Sequence, residues 1–128
     1  MNNAILYRSQ AGMREVMNIY DNLLATWPVP RQEMNITTRH GDTFVIASGD
    51  PAAPPLVLLH GTCSNAVSWI GEITEYSRHH RVFAVDIIGE PGRSAPSRPD
   101  WKGVAYVEWL EDVLDGLSVR RASLAGVS

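Results

Sequence analysis

Leu56-Val57-Leu58-Leu59-His60-Gly61 is the stretch whose reading decides the fold. Four consecutive apolar residues follow Pro54-Pro55 and end at His60-Gly61. A run so short, with no polar alternation, predicts a strand buried on both faces, the kind found in parallel sheets. Arg81-Val82-Phe83-Ala84-Val85-Asp86 is a second such run, and a last strand is predicted at about residues 122–127. Between the first two, from Ser64 onward, Trp69, Ile73 and Tyr76 share one helical side, with Glu72 and Glu75 elsewhere. Ser64 or Asn65 suits its cap. Between the last two lie a Gly/Pro-rich loop, residues 89–99, and a helix over about residues 103–117, striped by Val107, Leu110, Val113, Leu114 and Leu117. Buried strands alternating with amphipathic helices predict an α/β fold, a mostly parallel sheet with helices on both faces. Right-handed crossovers put the strand from Leu56 between the other two.

Upstream, Met13, Val16, Met17, Tyr20, Leu24 and Trp27 recur at spacings of three and four, a helix over about residues 10–27 that Pro28 and Pro30 stop. Two short strands are predicted at residues 34–38 and 43–46. Arg39-His40-Gly41-Asp42 joins them, and Gly41 suits a turn needing positive φ.

The chain has 128 residues and a net charge of −3 from 11 basic and 14 acidic side chains. Its 45% hydrophobic and 20% charged residues are those of a globular domain, so global disorder is excluded. Basic residues never cluster beyond short pairs such as Arg120-Arg121, so no nucleic-acid partner is expected. One cysteine excludes an internal disulfide framework and a cysteine-based zinc site. No apolar run approaches the roughly 18 residues of a membrane span. The N-terminal residues 1–8 lack the apolar core of a signal peptide, so the expectation is a soluble cytoplasmic protein with no membrane partner. Without secretion, the sequon Asn35-Ile36-Thr37 is idle.

Sites in parallel sheets form at the carboxyl ends of strands. Here those ends carry His60-Gly61-Thr62-Cys63, residues 86–94 and Gly126-Val127-Ser128. The last triplet is half of a G-x-S-x-G nucleophile elbow, which exposes the serine hydroxyl on a sharp strand-to-helix turn. Alone, the triplet is an ordinary turn. It gains weight because it follows the small-residue strand Leu124-Ala125, one strand–helix–strand–helix–strand path after His60-Gly61. In such an arrangement the loop after an earlier strand lends a backbone N–H to an oxyanion hole, and the nearest donor is the N–H of Thr62. The second donor is the residue after the serine. The residue 89–92 loop lacks G-x-G-x-x-G and G-x-x-x-x-G-K-[ST], so no nucleotide or other cofactor is expected.

In this order, Ile46-Ala47-Ser48-Gly49, Leu58-Leu59-His60-Gly61, Ala84-Val85-Asp86-Ile87-Ile88-Gly89, Glu108-Trp109 and Leu124-Ala125-Gly126-Val127-Ser128 resemble the N-terminal half of a serine α/β-hydrolase, and most resemble the bacterial carboxylesterases of that superfamily. The helix ending at Trp27-Pro28 fits one such esterase subgroup. The resemblance implies carboxylic-ester hydrolysis through an acyl-serine intermediate. It makes Ser128 the nucleophile and the Thr62 N–H an oxyanion donor, with Gly61 and Cys63 beside the substrate. Other implied activities are a lactonase or another acyl hydrolase, and from a different class a non-catalytic binding protein on the same scaffold. The superfamily's common loop is D-x-x-G-x-G-x-S, whereas Asp86, Gly89, Gly92 and Ser94 carry one extra residue between the glycines. A glycine usual near the place of Ser118 is also missing, with Gly116 two residues earlier.

In this fold the base and acid follow the serine in chain order. His60 therefore reads as structural and Asp86 as a loop-ordering carboxylate. Cys63 reads as a small pocket wall, His79-His80 as solvated rather than metal-binding, and Trp101 and Trp109 as core or loop anchors. No metal is expected. Residues 1–128 then form the N-terminal portion of a single domain that runs to roughly 250 residues. The expected partner is the C-terminal complement, as a second chain or the remainder of a longer one. That complement supplies the base and acid, the segment alone is inactive, and the substrate is a small ester. Without it, the last strand is an open apolar sheet edge. A stop at Ser128 points to cleavage or covalent modification there more than to a deliberate division.

Overall fold

The computed structural model describes residues 6–127. Helix α1 (Gln10–Ala25) starts where the Ser9 hydroxyl accepts the Gly12 N–H at 3.0 Å, and it ends before Pro28. Then come β1 (Gln32–Ile36), β2 (Thr43–Ser48), β3 (Pro55–Leu59), a 3₁₀ segment (Ala66–Gly71), α2 (Ile73–Tyr76), β4 (Arg81–Val85), α3 (Ala105–Gly116) and β5 (Ser123–Gly126). Among the described residues no helix is long and apolar enough to cross a membrane.

The sheet runs β1-β2-β4-β3-β5. Strand β3 lies between β4 and β5 and is parallel to both, as the crossover rule requires. The β1–β2 hairpin adds two antiparallel pairings on the β4 side, which makes the sheet mixed. Gly41 in the connection has φ +137°, and a side chain there would strike Ala95. Strand β5 occupies the far edge, with Leu124 and Val127 more than half exposed.

Period-two alternation divides the core into two layers. Phe44, Ile46, Leu56, Leu58, Val82 and Ala84 face Tyr20, Leu24 and Trp27 of the α1 side, with Trp69 and Ile73. Val45, Ala47, Val57, Phe83 and Val85 face Trp109 and Val113 of α3. Strand β2 is buried along its whole length and carries a hydroxyl near each end, one for each layer. Trp27 Nε1 donates to Ser48 Oγ at 3.0 Å, and Trp109 Nε1 to Thr43 Oγ1 at 2.8 Å.

Three local expectations change. The helix expected from Ser64 is instead a 3₁₀ segment followed by a single α-turn. Gly71 weakens the helix between them. The start is pinned, with the Ala66 N–H held by Asp86 and the Asn65 amide bonded to the Pro91 carbonyl rather than capping. Trp109 is a core anchor, but Trp101 is 77% exposed with the Lys102 ammonium beside its ring. His79 is exposed, whereas His80 is half-buried.

The end of α3 resolves the missing glycine. Ser118 itself takes the left-handed conformation, φ +58°. Its N–H bonds to Asp115 and that of Val119 to Leu114, the bond pair of a Schellman cap. A non-glycine residue is strained there, so Ser118→Gly should raise stability by about 0.5–1 kcal/mol, read as a higher melting temperature. At the other side of α3, Arg39 of the hairpin connection bonds Asp112 through its backbone N–H at 2.8 Å and its side chain at 3.0 Å, and Glu108 at 3.0 Å. These donors hold the Asp112 carboxyl below its ordinary value of 3.8. A lowered carboxyl contributes stability that is present above the ordinary value and lost as pH falls towards the folded one. Asp112→Asn should therefore melt below the parent at neutral pH, and the gap should close as the pH is lowered through 3.8.

Candidate active site

Parallel register levels the site loops. Leu59 of β3 pairs with Val85 of β4 and with Gly126 of β5. The segments that follow each strand, from His60, Asp86 and Val127, therefore leave the sheet at one height. The Val127 N–H bonds the Leu59 carbonyl at 3.1 Å. Ser128 follows directly but lies outside the described residues.

Gly61, Thr62, Cys63 and Ser64 form a tight turn closed by the Ser64 N–H on the Gly61 carbonyl at 3.1 Å. Cys63 is exposed and left-handed, φ +61°. Such a conformation costs a non-glycine residue of order 1–3 kcal/mol and persists only where its surroundings impose it. Its N–H is held by Glu90 Oε2 at 3.0 Å. The Gly61 carbonyl is also bonded by His60 Nδ1 at 2.8 Å. In a planar trans peptide the C=O and the following N–H point oppositely. Two donors on the Gly61 oxygen thus fix the direction of the Thr62 N–H, away from them. Among the described residues the Gly61 and Thr62 N–H groups have no acceptor.

His60 is 3% exposed, and both its nitrogens are committed to backbone. The Ile87 N–H donates to Nε2 at 3.0 Å, so the ring proton resides on Nδ1, facing the Gly61 oxygen. The imidazole staples the loop after β3 to the loop after β4 and has no lone pair left for a substrate proton.

Asp86 orders its surroundings. Only 1% exposed, its carboxylate accepts from Tyr20 O–H at 2.7 Å, Ala66 N–H at 2.6 Å and Arg93 N–H at 2.9 Å. Burial pushes the carboxyl pKa up, against the pull of these donors. Burial and Asp86 push the Tyr20 phenol up as well. A side chain at position 92 would sit 2.7 Å from Asp86 Oδ2, so Gly92 is required. Ser94 closes the loop, its hydroxyl donating to the Asp86 carbonyl at 2.6 Å and accepting from Phe44 N–H at 2.8 Å.

A cavity of about 410 Å³ opens at this end of the sheet, lined by Gly61, Thr62, Ser64, Ser68, Trp69, Glu72 and Val127. It joins Gly61 and Thr62 to the residue preceding Ser128, while Cys63 stays outside the lining. A second cavity, about 430 Å³, sits at the opposite end of β4 beside Arg31 and Arg81. Both guanidiniums there already have partners in Glu33, Gly49 and Gln32. This cavity lies away from the strand-end loops that hold the expected site residues. Sequence periodicity showed Tyr20 as an apolar helix position and gave no sign of its bond to Asp86, 66 residues away.

Comparison with known proteins agrees with this geometry. The family described as alpha/beta hydrolase fold matches residues 54–128. The chain is similar to a carboxylesterase of Bacillus subtilis, nap, at 41% identity over 109 residues, which is 85% of this chain and 36% of that protein. It is also similar to carboxylesterase YbfK of Bacillus subtilis, at 39% identity over 93% of this chain and 40% of that protein. The crystal structure of naproxen esterase from Bacillus subtilis superposes with a TM-score of 0.83 at 39% identity, covering 95% of this chain and 42% of that one. The chain therefore spans about two fifths of the length of these relatives. With the matched segment running from β3 to the end of the sequence, and with the sheet order and loop geometry above, the chain belongs to the α/β-hydrolase fold family.

Proposed function

We propose that the protein is a cytoplasmic carboxylesterase that cleaves small esters through an acyl-enzyme intermediate on Ser128. One observation carries this reading. Thr62, its N–H without an acceptor among the described residues, shares one cavity with Val127, the residue before Ser128. Similarity to carboxylesterases supports the same reaction class.

In this mechanism Ser128 Oγ bonds to the ester carbonyl carbon and gives its proton to a histidine. The carbonyl π pair moves onto oxygen, and the Thr62 N–H holds that charge. A donor of this kind is worth about 3–4 kcal/mol. The tetrahedral intermediate collapses, the alcohol leaves with the proton, and water repeats the sequence to release the acid. His60 cannot serve as the base, because backbone occupies both its nitrogens. The base and its orienting acid belong instead to a C-terminal complement of the same hydrolase domain, and the length of the relatives supports this assignment. The exposed edge of β5 offers that complement a strand to pair with.

Three measurements test the proposal. With the complement present, a chromogenic short-chain ester should be turned over, and Ser128→Ala should abolish turnover and labelling by a serine-directed phosphonate. Undiminished turnover in that variant refutes the nucleophile. Thr62→Pro, which deletes the N–H, should lower kcat by about 10²–10³-fold, whereas Thr62→Ala should keep most of it. Equal rates for the two variants refute the oxyanion assignment. Residues 1–128 alone should turn over no ester; activity in that segment would place the base within it.

A further inference from the structure

Glu90 belongs to the loop after β4, yet its carboxylate reaches the turn after β3. It accepts the Cys63 N–H at 3.0 Å. Its neighbour Pro91 accepts the Asn65 side-chain amide at 3.0 Å. These two consecutive residues thus grip the turn on either side of Ser64. Cys63 needs such a grip, because its φ of +61° is one that side chains other than glycine rarely adopt. The consequence passes along the backbone. With Cys63 left-handed, the Ser64 N–H meets the Gly61 carbonyl, and that carbonyl shares its peptide plane with the Thr62 N–H.

We infer that Glu90 is a positioning residue for the oxyanion hole. By holding the Cys63 N–H it keeps the turn in the left-handed form that leaves the Thr62 N–H directed and without an acceptor among the described residues. The inference rests on the role of Thr62 proposed above. Glu90 touches no reacting atom, so its effect falls on kcat and not on substrate affinity. An amide carbonyl at the same reach can accept the same bond, and a glycine at position 63 removes the need for it.

The experiment compares Glu90→Ala, Glu90→Gln and the double variant Glu90→Ala with Cys63→Gly in the full-length protein. It measures kcat and KM on a short chromogenic ester, and hydrogen exchange at the Ser64 amide. Glu90→Ala should lose about 10–100-fold in kcat, less than deletion of a donor, with KM within about twofold. Exchange at Ser64 should accelerate in step. Glu90→Gln should stay within about threefold of the parent in kcat, and the double variant should regain about tenfold over Glu90→Ala. Parental kcat and parental Ser64 protection in Glu90→Ala overturn the inference. So does a Glu90→Gln variant as impaired as Glu90→Ala, or a loss that Cys63→Gly does not relieve. If the parent shows no Ser128-dependent turnover, the esterase reading fails, and the Ser64 exchange rates still decide whether Glu90 holds the turn.

Discussion

Taking an ionised carboxylate out of water costs several kcal/mol unless donors replace the lost hydration. Asp86 meets that demand from three directions at once. Tyr20 approaches from α1, Ala66 from the 3₁₀ segment, and Arg93 from the far end of its own loop. All three partners donate, so the acceptor-only ionised form suits them. The upper rim of the sheet depends on this carboxylate, because it ties α1, the 3₁₀ segment and the loop after β4 together at one point. If Asp86 were removed, the Tyr20 hydroxyl and the Ala66 N–H would be left unsatisfied within the core, which costs more than the bonds themselves contribute. The loop it anchors then supplies the Ile87 N–H to His60, and Glu90 and Pro91 to the turn.

Strands β3 and β4 were legible because burial on both faces leaves no polar residue to interrupt them. Leu56 to Leu58 and Val82 to Val85 are that case, and the place of β3 between β4 and β5 followed from handedness alone. The hairpin was legible as two strands, but its antiparallel docking on β4 was not, since nothing in residues 32–48 names a partner. The broken helix after Ser64 misled for a different reason. Trp69, Ile73 and Tyr76 fit a helical face, while the forces that set the backbone there come from Asp86 and Pro91, 20 and 26 residues ahead of the groups they hold.

The site divides along the same line. Thr62 could be named from its place after a buried strand, and Gly92 from its place in a loop whose spacing departs from the common pattern. The physical use of that departure could not be read. It became visible only when the pair Glu90-Pro91 was seen to bond backbone and side-chain amides across the gap between two strand ends. Contacts of this kind have no period, so no local pattern announces them.

The two indoles bound to β2 give each layer of the molecule its own optical reporter. Trp27 and Trp109 lie on opposite faces, each buried and each tied to a hydroxyl near one end of the same strand, whereas Trp101 stands in solvent. Emission from a buried, hydrogen-bonded indole shifts when its layer opens to water, while that of Trp101 barely changes. A protein retaining Trp27 as its only buried indole therefore reports the α1 layer, and one retaining Trp109 reports the α3 layer. The shared strand makes the comparison direct. If the two signals change together the layers open as one cooperative unit, and if they separate then β2 marks the boundary between two units of different stability.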